Sequence, residues 1–291
     1  MAFKSGFVSI FGKPNAGKST LLNVLIGEKM AIVSHKVQTT RHRIKAFLNS
    51  TDYQIVFSDT PGIIDPQYRL HQKMMQQVKS AMEDADAALL LYDITDKDPE
   101  AADALFASLK LKVPAIVLVN KTDLVPAEAT AEIIGFFTGK RYAKAVIGIS
   151  AKKKTNTETL VTNLLQLLPE GEPFFPTDDL SDLPTKFFVS ELIREKIFEL
   201  YHEEIPYHTA VIVQEFTPKS TLIKIRAEII VQRETQKFII IGEGGKMIKK
   251  LGTEARQGIE AFIDNKVFLE LFVKVKPKWR DDELKLREYG Y

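Results

Sequence analysis

The chain has 291 residues, 45% of them hydrophobic, and contains no cysteine. This length allows two domains that each bury a core, and the lack of cysteine excludes a disulfide framework or a thiolate metal site. The formal net charge is only +2, so bulk charge does not indicate a nucleic-acid-binding protein, and local basic clusters would have to carry that signal. No apolar run approaches the ~20 residues of a membrane span. We expect a soluble, cytoplasmic protein.

The first part of the chain, residues 1–168, alternates short apolar runs with helical stretches. The runs that we interpret as strands are FVSIFG, YQIVFSD, AALLLYD, AIVLVN and AVIGIS. Strands that alternate with helices in this way favour a mainly parallel sheet covered by helices on both faces. We therefore predict an α/β domain here.

The segment 169–184 interrupts this pattern with four prolines and five acidic residues. Such a composition is typical of an interdomain linker. A second domain is predicted over 185–291, with elements in the order helix, strand, strand, helix, helix, strand. Its first helix places one set of apolar residues on a single face: Val189, Leu192, Ile193, Ile197, Leu200 and Tyr201.

The stretch GKPNAGKST follows the first predicted strand and precedes a helical run. It has the full G-x-x-x-x-G-K-[ST] spacing, in which backbone N–H groups and a helix N-terminus surround a phosphate. We expect Lys18 to bridge the β- and γ-phosphates and Ser19 to bind Mg²⁺. The predicted phosphate-binding residues are Gly12, Lys13, Pro14, Asn15, Ala16, Gly17, Lys18, Ser19 and Thr20.

The tetrapeptide DTPG ends the strand YQIVFS, and the polar segment QTTRHR precedes that strand. We expect Asp59 to hold Mg²⁺ through water and the Gly62 N–H to contact the γ-phosphate. A threonine of QTTRHR would complete the Mg²⁺ shell, and Thr40 is preferred to Thr39 although spacing cannot separate neighbours. The residues of DTPG predicted to contact nucleotide are Asp59, Thr60, Pro61 and Gly62.

The sequence NKTD, at the end of the strand AIVLV, indicates which base is bound. The Asp123 carboxylate offers two acceptors for the N1–H and 2-amino donors of guanine, whereas adenine lacks both donors. A mismatched polar site rejects the wrong substrate strongly, so we expect GTP and GDP as ligands. Asn120 would brace the loop and Lys121 would lie along the base. In SAK, formed by Ser150, Ala151 and Lys152, the Ala151 N–H would face the guanine O6.

Taken in order, KPNAGKST, QTTRHR, DTPG, NKTD and SAK resemble the translation-factor-related GTPases, and the Era family in particular. Ras-like enzymes carry a water-orienting glutamine after the switch glycine, but Ile63 stands there in this chain. The resemblance implies that Asn15 ligates K⁺ near the phosphates. The alternative is that Asn15 is a loop residue that tolerates the turn. The predicted catalytic residues are Lys18, Thr40, Gly62 and Asn15, and the predicted Mg²⁺ ligands are Ser19, Thr40 and Asp59.

The stretch IIIGEGGKMI contains a G-x-x-G between two helical segments, and the element order around it resembles the type II KH domain. The resemblance implies an RNA-binding loop that approaches the backbone of a single strand. Glu243 departs from the basic or small residue more usual there. A capped helix end beside solvated lysines is the alternative. The predicted RNA-binding residues are Gly242, Glu243, Gly244, Gly245, Lys246, Lys249 and Lys250.

The resemblance to the Era family runs nearly end to end. It implies a monomeric GTPase whose KH domain binds the 3′ end of the small-subunit ribosomal RNA during 30S subunit maturation. One alternative is an RNA-binding assembly or chaperone module that holds GTP without turning it over. Another is a signalling GTPase with a peripheral inner-membrane contact at the helix near Val189, although a core face explains that helix better. Trp279, among basic residues, either stacks on RNA or packs in the core.

Overall fold

The computed structural model describes residues 2–291, and its contacts divide the chain into two units. Unit 1 consists of Met1–Ala31, Thr40–Asp65 and Met74–Asp182. Unit 2 consists of Ile32–Thr39, Pro66–Lys73 and Leu183–Tyr291. The predicted domain bounds stay a prediction, and the contacts differ from them in detail because two short stretches of the N-terminal half group with unit 2.

Unit 1 contains six strands: β1 (Lys4–Gly12), β2 (Ile44–Asn49), β3 (Tyr53–Asp59), β4 (Ala87–Asp93), β5 (Ala115–Asn120) and β6 (Ala143–Gly148). They form one sheet in the order β2-β3-β1-β4-β5-β6. Every pair is parallel except β2 with β3. This arrangement confirms the predicted α/β class.

Strand β2 was not among the predicted strands. It is antiparallel to β3, and the connection is a tight turn in which the Ser50 N–H donates to the Tyr53 carbonyl at 2.9 Å. A connection this short can join only antiparallel strands. The sheet is therefore parallel with one antiparallel edge strand.

Helices cover both faces of this sheet: α1 (Lys18–Ile26), α2 (Arg69–Glu83), α3 (Pro99–Ser108), α4 (Ala127–Phe137) and α5 (Thr157–Leu167). Residues of α2, α3 and α4 share one core cluster with Leu90 and Tyr92 of β4. Leu89 and Leu91, whose side chains point to the opposite face, are equally buried. Burial on both faces explains why β4 is a continuous apolar run.

The order of the strands brings the predicted site together. GKPNAGKST follows β1, DTPG follows β3, NKTD follows β5 and SAK follows β6. Because β1, β3, β5 and β6 are parallel, their carboxyl ends lie at one edge of the sheet, where open α/β sheets bind ligands.

The predicted linker is tied to unit 1 by hydrogen bonds and ring packing. The Gln54 side chain donates to the Phe175 carbonyl at 2.9 Å and accepts from the Phe174 N–H at 2.7 Å. The rings of Phe47 and Phe175 stack with centroids 4.1 Å apart. The two aromatic residues of this segment therefore help to attach it to the edge of the sheet.

The C-terminal part of unit 2 has helices and a three-stranded sheet in the predicted order: α6 (Thr185–Leu200), β7 (Ala210–Pro218), β8 (Ile223–Val231), α7 (Glu234–Ile241), α8 (Lys246–Ile263) and β9 (Val267–Val275). Strands β7 and β8 are antiparallel, and β8 and β9 are parallel. A short helix α9 (Glu283–Glu288) follows. The element order expected for a type II KH domain is confirmed.

The core of unit 2 accounts for two features that the sequence left open. Val189 and Ile193 of α6 are fully buried and pack with Ile259 of α8, so the apolar face of α6 is used inside the fold. Trp279 is also fully buried, and its indole N–H donates to the His208 carbonyl at 3.1 Å. This burial favours packing over stacking on RNA. Within residues 2–291, no helix has the length and apolar character needed to cross a membrane.

Candidate nucleotide site and RNA loop

The loop after β1 is fixed to the loop after β5. Gly17 has φ 98°, and a Cβ there would lie 2.3 Å from the Asn120 side-chain nitrogen. That nitrogen donates to the Ala16 carbonyl at 2.8 Å. Only glycine permits both the left-handed backbone and this close approach. Asn120 thus lies where the sequence predicted a brace.

Lys18 opens helix α1, and its ammonium group is buried inside the loop. It donates to the carbonyls of Gly12 at 3.2 Å and Lys13 at 3.0 Å. Burial lowers the pKa of Lys18 to about 8, although the nearby Asp59 carboxylate opposes this shift. A bound phosphate would supply the counter-charge that two neutral carbonyls cannot.

Ser19, Thr40 and Asp59 bring their side-chain oxygens together. The Ser19 hydroxyl donates to Asp59 Oδ2 at 2.6 Å and lies 2.8 Å from the Thr40 hydroxyl, which is 3.2 Å from the same Oδ2. Burial raises the pKa of Asp59, and across residues 2–291 its other oxygen, Oδ1, is buried without a hydrogen-bond partner. Hydroxyl and carboxylate oxygens suit Mg²⁺, so the residues present fit this ion. Thr39 contributes no side-chain oxygen to the cluster.

The DTPG segment lies close against the loop after β1. The Ile63 N–H donates to the Gly12 carbonyl at 3.2 Å, and a Cβ on Gly62 would lie 2.8 Å from the Pro14 nitrogen. The Ile63 side chain packs against the core cluster formed by α2, α3 and α4. The position of the Ras-like glutamine is therefore occupied by a partly buried apolar side chain.

NKTD and SAK meet at the opposite side of the site. Asp123 is exposed and accepts a 2.6 Å hydrogen bond from the Ser150 hydroxyl. The Ala151 N–H donates to the Asn120 side-chain oxygen at 3.0 Å, so in this structure it is engaged within the protein rather than presented freely to a base. The Lys121 ammonium pairs with Asp93.

Asn15 is exposed and has φ 63°. Asparagine is one of the few non-glycine residues that adopt this left-handed conformation readily. Backbone conformation alone thus gives a reason for asparagine here, as the alternative interpretation required. Its neighbour Lys13 pairs with Asp96 at 2.8 Å.

The predicted RNA loop connects α7 and α8. Gly242, Gly244 and Gly245 have φ of 72°, 58° and 76°. A Cβ on Gly242 would lie 2.7 Å from the Met247 side chain, whereas Gly244 and Gly245 face open space. The first glycine is thus required by packing, and the other two leave the loop surface bare.

The lysines that follow this loop are exposed on α8: Lys246, Lys249 and Lys250. Lys250 has a weak partner, Glu254, at 3.9 Å. In the part of the chain that the structure describes, no ion pair is found for Lys246 or Lys249. Two positive charges therefore stand uncompensated beside the loop.

Sequence reasoning missed an apolar surface directly before this loop. Phe238 and Ile239 are 69% and 50% exposed, while Ile240 is fully buried. On a helix the residues beside a buried position turn away from the core by about 100° each, so one buried isoleucine leaves its neighbours outside. The apolar run FIII could have revealed this, because a short surface helix cannot bury four consecutive residues.

Family models match both units. A model described as "50S ribosome-binding GTPase" matches residues 7–121, and a model described as "KH domain" matches residues 204–280.

Curated relatives are similar over the whole chain. The GTPase Era of Geotalea daltonii is 44% identical, and that of Geobacter sp. (strain M21) is 45% identical. In both cases the alignment covers 99% of this chain and 98% of the relative.

Two solved structures are also similar at full length. One is a tyrosine-to-alanine variant of Aquifex aeolicus Era bound to GDP·AlF₄⁻, with a TM-score of 0.95, 40% identity and 99% of each chain covered. The other is Era in complex with MgGDPNP and nucleotides 1506–1542 of 16S ribosomal RNA, with a TM-score of 0.95, 40% identity and the same coverage.

Proposed function

This chain belongs to the Era family of GTPases, and from that premise we propose that it is a GTP-hydrolysing switch that binds the 3′ end of the 16S ribosomal RNA and assists 30S subunit assembly. One observation carries the proposal: a complete set of guanine-nucleotide loops at one sheet edge and a bare glycine loop beside exposed lysines occur in the same chain. The RNA target is supported by the solved structure of Era in complex with nucleotides 1506–1542 of 16S ribosomal RNA. This chain is 40% identical to the Era protein of that complex.

In the proposed nucleotide site, the backbone N–H groups of the loop after β1 surround the β-phosphate at the N-terminus of α1. Lys18 exchanges its two carbonyl acceptors for phosphate oxygens, which stabilise the charge that burial disfavours. The Gly62 N–H contacts the γ-phosphate. Together these groups hold the transferred phosphate in position, which is the main task of the protein in phosphoryl transfer.

The proposed Mg²⁺ ligands are Ser19, Thr40 and, through water, Asp59. Their support is the cluster of oxygens around Asp59 Oδ2 and the unsatisfied Oδ1. Bound there, the ion would neutralise charge on the β- and γ-phosphates. The three side chains hydrogen-bond one another and so already lie close together.

Base recognition is assigned to Asp123, which the Ser150 hydroxyl orients through a 2.6 Å bond. For the Ala151 N–H to donate to the guanine O6, it must share or leave its bond to Asn120. Asn120 also donates to the Ala16 carbonyl, so a change at Asn120 on nucleotide binding would also affect the loop at Ala16.

The proposed cation in the hydrolysis step is K⁺, held by Asn15. The support is that Ile63, which packs against the core cluster, has an apolar side chain that cannot orient water. Replacing Asn15 with glycine keeps the left-handed backbone while it removes the side-chain oxygen. We expect potassium to accelerate hydrolysis by the parent more than sodium does, and Asn15→Gly to abolish the difference. A parent that hydrolyses GTP equally in both salts would rule out this role.

The RNA site is assigned to the Gly242–Gly245 loop with Lys246, Lys249 and Lys250. Phe238 and Ile239 add an exposed apolar surface on which bases can pack. We also propose that the chain is a monomer, and that it is cytoplasmic because its proposed RNA target is ribosomal. A peripheral membrane contact finds no support in α6, whose apolar face lies in the core.

Two measurements test the proposed function together. Multiple-turnover phosphate release should depend on GTP and Mg²⁺, and crosslinking to total RNA should recover the 3′ end of 16S ribosomal RNA. Recovery should differ between the GTP-bound and GDP-bound protein if the nucleotide acts as a switch. If the protein binds GTP but releases no phosphate in the multiple-turnover assay, it instead holds the nucleotide as a structural ligand.

A further inference from the structure

The segment Ile32–Thr39, directly before Thr40, groups with unit 2 and is hydrogen-bonded to residues of helix α6 and its C-terminal end. The ammonium of Lys36 donates to the carbonyls of Phe198 and Tyr201 at the C-terminal end of that helix. Helix C-termini carry carbonyls without intrahelical partners and attract cations. One end of α6 therefore anchors the middle of the segment.

A second anchor is the guanidinium of Arg194, in the middle of α6. It donates to the Thr39 carbonyl through Nη2. The same group is paired with Glu191, whose Oε1 accepts from Nε at 2.8 Å and whose Oε2 accepts from Nη2. Arg194 is 1% exposed and Glu191 7%. A bidentate pair fixes the plane of the guanidinium, so the donor that reaches Thr39 is oriented in advance.

Stability alone is a poor explanation for this pair. Removing two charges from water is costly, and replacing a buried ion pair with apolar residues of similar volume is often neutral or stabilising. Arg194 also has a buried Nη1 without a hydrogen-bond partner among the described residues, which adds to the cost. What the buried pair does provide is an oriented donor for the hydrogen bond to the Thr39 carbonyl.

That bond acts on Thr40 through the chain itself. The Thr39 carbonyl and the Thr40 nitrogen belong to one planar peptide unit, so holding the carbonyl oxygen fixes the start of Thr40. The Thr40 hydroxyl lies 2.8 Å from the Ser19 hydroxyl and 3.2 Å from Asp59 Oδ2. Loss of the Arg194 bond would free the peptide and let the hydroxyl leave this cluster.

We infer that Arg194 is a positioning residue for GTP hydrolysis, which holds Thr40 among the Mg²⁺ ligands by binding the Thr39 carbonyl. This inference rests on the proposed function, in which Thr40 holds the ion. Hydrolysis therefore depends on α6 even when no RNA is present.

The test uses the full-length double variant Glu191→Leu with Arg194→Met, which removes both members of the pair together. We expect kcat for GTP hydrolysis to fall, and the Mg²⁺ concentration for half-maximal rate to rise, each by about 10- to 100-fold, the usual effect of losing a group that orients a ligand. GDP affinity in EDTA should change by less than about twofold, since Lys18 and Asp123 are untouched.

Arg194→Lys tests the role without changing the net charge. Lysine keeps the charge but lacks the planar fork, so we expect an intermediate loss of kcat and an intermediate rise in the Mg²⁺ requirement. Lys196→Met is the matched control on the same helix, because Lys196 pairs with Glu199 near the surface, at 2.6 Å. It should match the parent in both measurements.

Thr40→Ala separates failure of this inference from failure of the proposed function. If Thr40→Ala hydrolyses GTP with the parent's Mg²⁺ dependence, the assignment of Thr40 is wrong. If Thr40→Ala is impaired while the double variant and Arg194→Lys both behave as the parent does, the role of Arg194 is overturned. If the inference holds, adding the double variant to Thr40→Ala should lower the rate no further, because both act through one ligand. Should the double variant fail to fold, Arg194→Lys decides by the same two measurements.

Discussion

Aspartates at Gly244 and Gly245 test whether the loop between α7 and α8 lies against an RNA backbone. These two positions suit the test better than Gly242, where a Cβ would meet Met247 at 2.7 Å and would disturb the fold. At Gly244 and Gly245 an added Cβ meets nothing within 4 Å. Any loss of binding at these positions then reports on the surface of the loop.

The cost to folding follows from the backbone. Both glycines have positive φ, 58° and 76°, and a left-handed residue other than glycine costs roughly 1–2 kcal/mol, with aspartate among the residues that tolerate it. Two such residues would cost about 2–4 kcal/mol, within the ~5–15 kcal/mol by which domains are stable. We expect unit 2 to remain folded with a lower melting temperature.

The cost to RNA binding follows from charge. Two like charges about 4 Å apart repel by ~1 kcal/mol even at the dielectric constant of water. Two aspartates that each face a phosphate would thus cost at least about 2 kcal/mol, which is about 30-fold in affinity. The side chains would also obstruct the close approach that a KH loop makes to the backbone.

The assay is fluorescence anisotropy with a labelled RNA that carries the 3′ end of 16S ribosomal RNA. Gly244→Asn with Gly245→Asn is the matched control, since asparagine has a similar shape and tolerance of positive φ but no charge. We expect the asparagine pair to bind more tightly than the aspartate pair, and GTP hydrolysis without RNA to be unchanged in both. An aspartate pair that binds this RNA as the parent does would refute the RNA loop and leave a helix cap.

Four further substitutions test separate parts of the chain. Lys18→Ala should weaken GTP binding by about 10- to 150-fold, the value of a charge-assisted contact of ~1.5–3 kcal/mol, in a nucleotide titration; unaltered binding and hydrolysis would refute the phosphate site. Asp123→Asn should shift preference from GTP towards xanthosine triphosphate in competition binding, because an acceptor becomes a donor. Lys249→Ala should weaken every RNA alike and reduce the log–log salt slope by about 0.7. Tyr201→Phe should destabilise the protein by ~1–3 kcal/mol in urea unfolding, because it leaves the buried Ile240 carbonyl without its 2.8 Å hydrogen bond.

The loops of the proposed nucleotide site could be placed from the sequence. Gly17, Lys18 and Ser19 act through backbone conformation and through positions at the start of one helix, so their spacing alone describes most of the geometry. Parallel strands then bring the loops after β1, β3, β5 and β6 to one edge. The glycine loop between α7 and α8 was predictable for the same reason, since its glycines adopt positive φ values.

Other features of the site and the core depend on contacts between residues far apart in the sequence, and no local sequence pattern predicts such contacts. Spacing could not separate Thr39 from Thr40, but of these two threonines the fold brings the Thr40 hydroxyl to Asp59. Periodicity placed Val189 and Ile193 on a buried face, yet it said nothing about the buried charge on the same helix.

The sequence by itself determined the α/β class, the guanine-nucleotide loops, the KH element order and the glycine loop, because each rests on side-chain periodicity or on backbone conformations that few residues adopt. The tertiary structure decided the antiparallel strand β2, the burial of Trp279, the packing of Ile63 against the core and the bond from Arg194 to Thr39. The bond from Arg194 to Thr39 shows why local patterns could not predict these features, because its two partners are 155 residues apart in the sequence. From sequence alone, an arginine in a helix is expected to be exposed. Only the fold shows that a carboxylate and a carbonyl lie close enough to pair with it when it is buried.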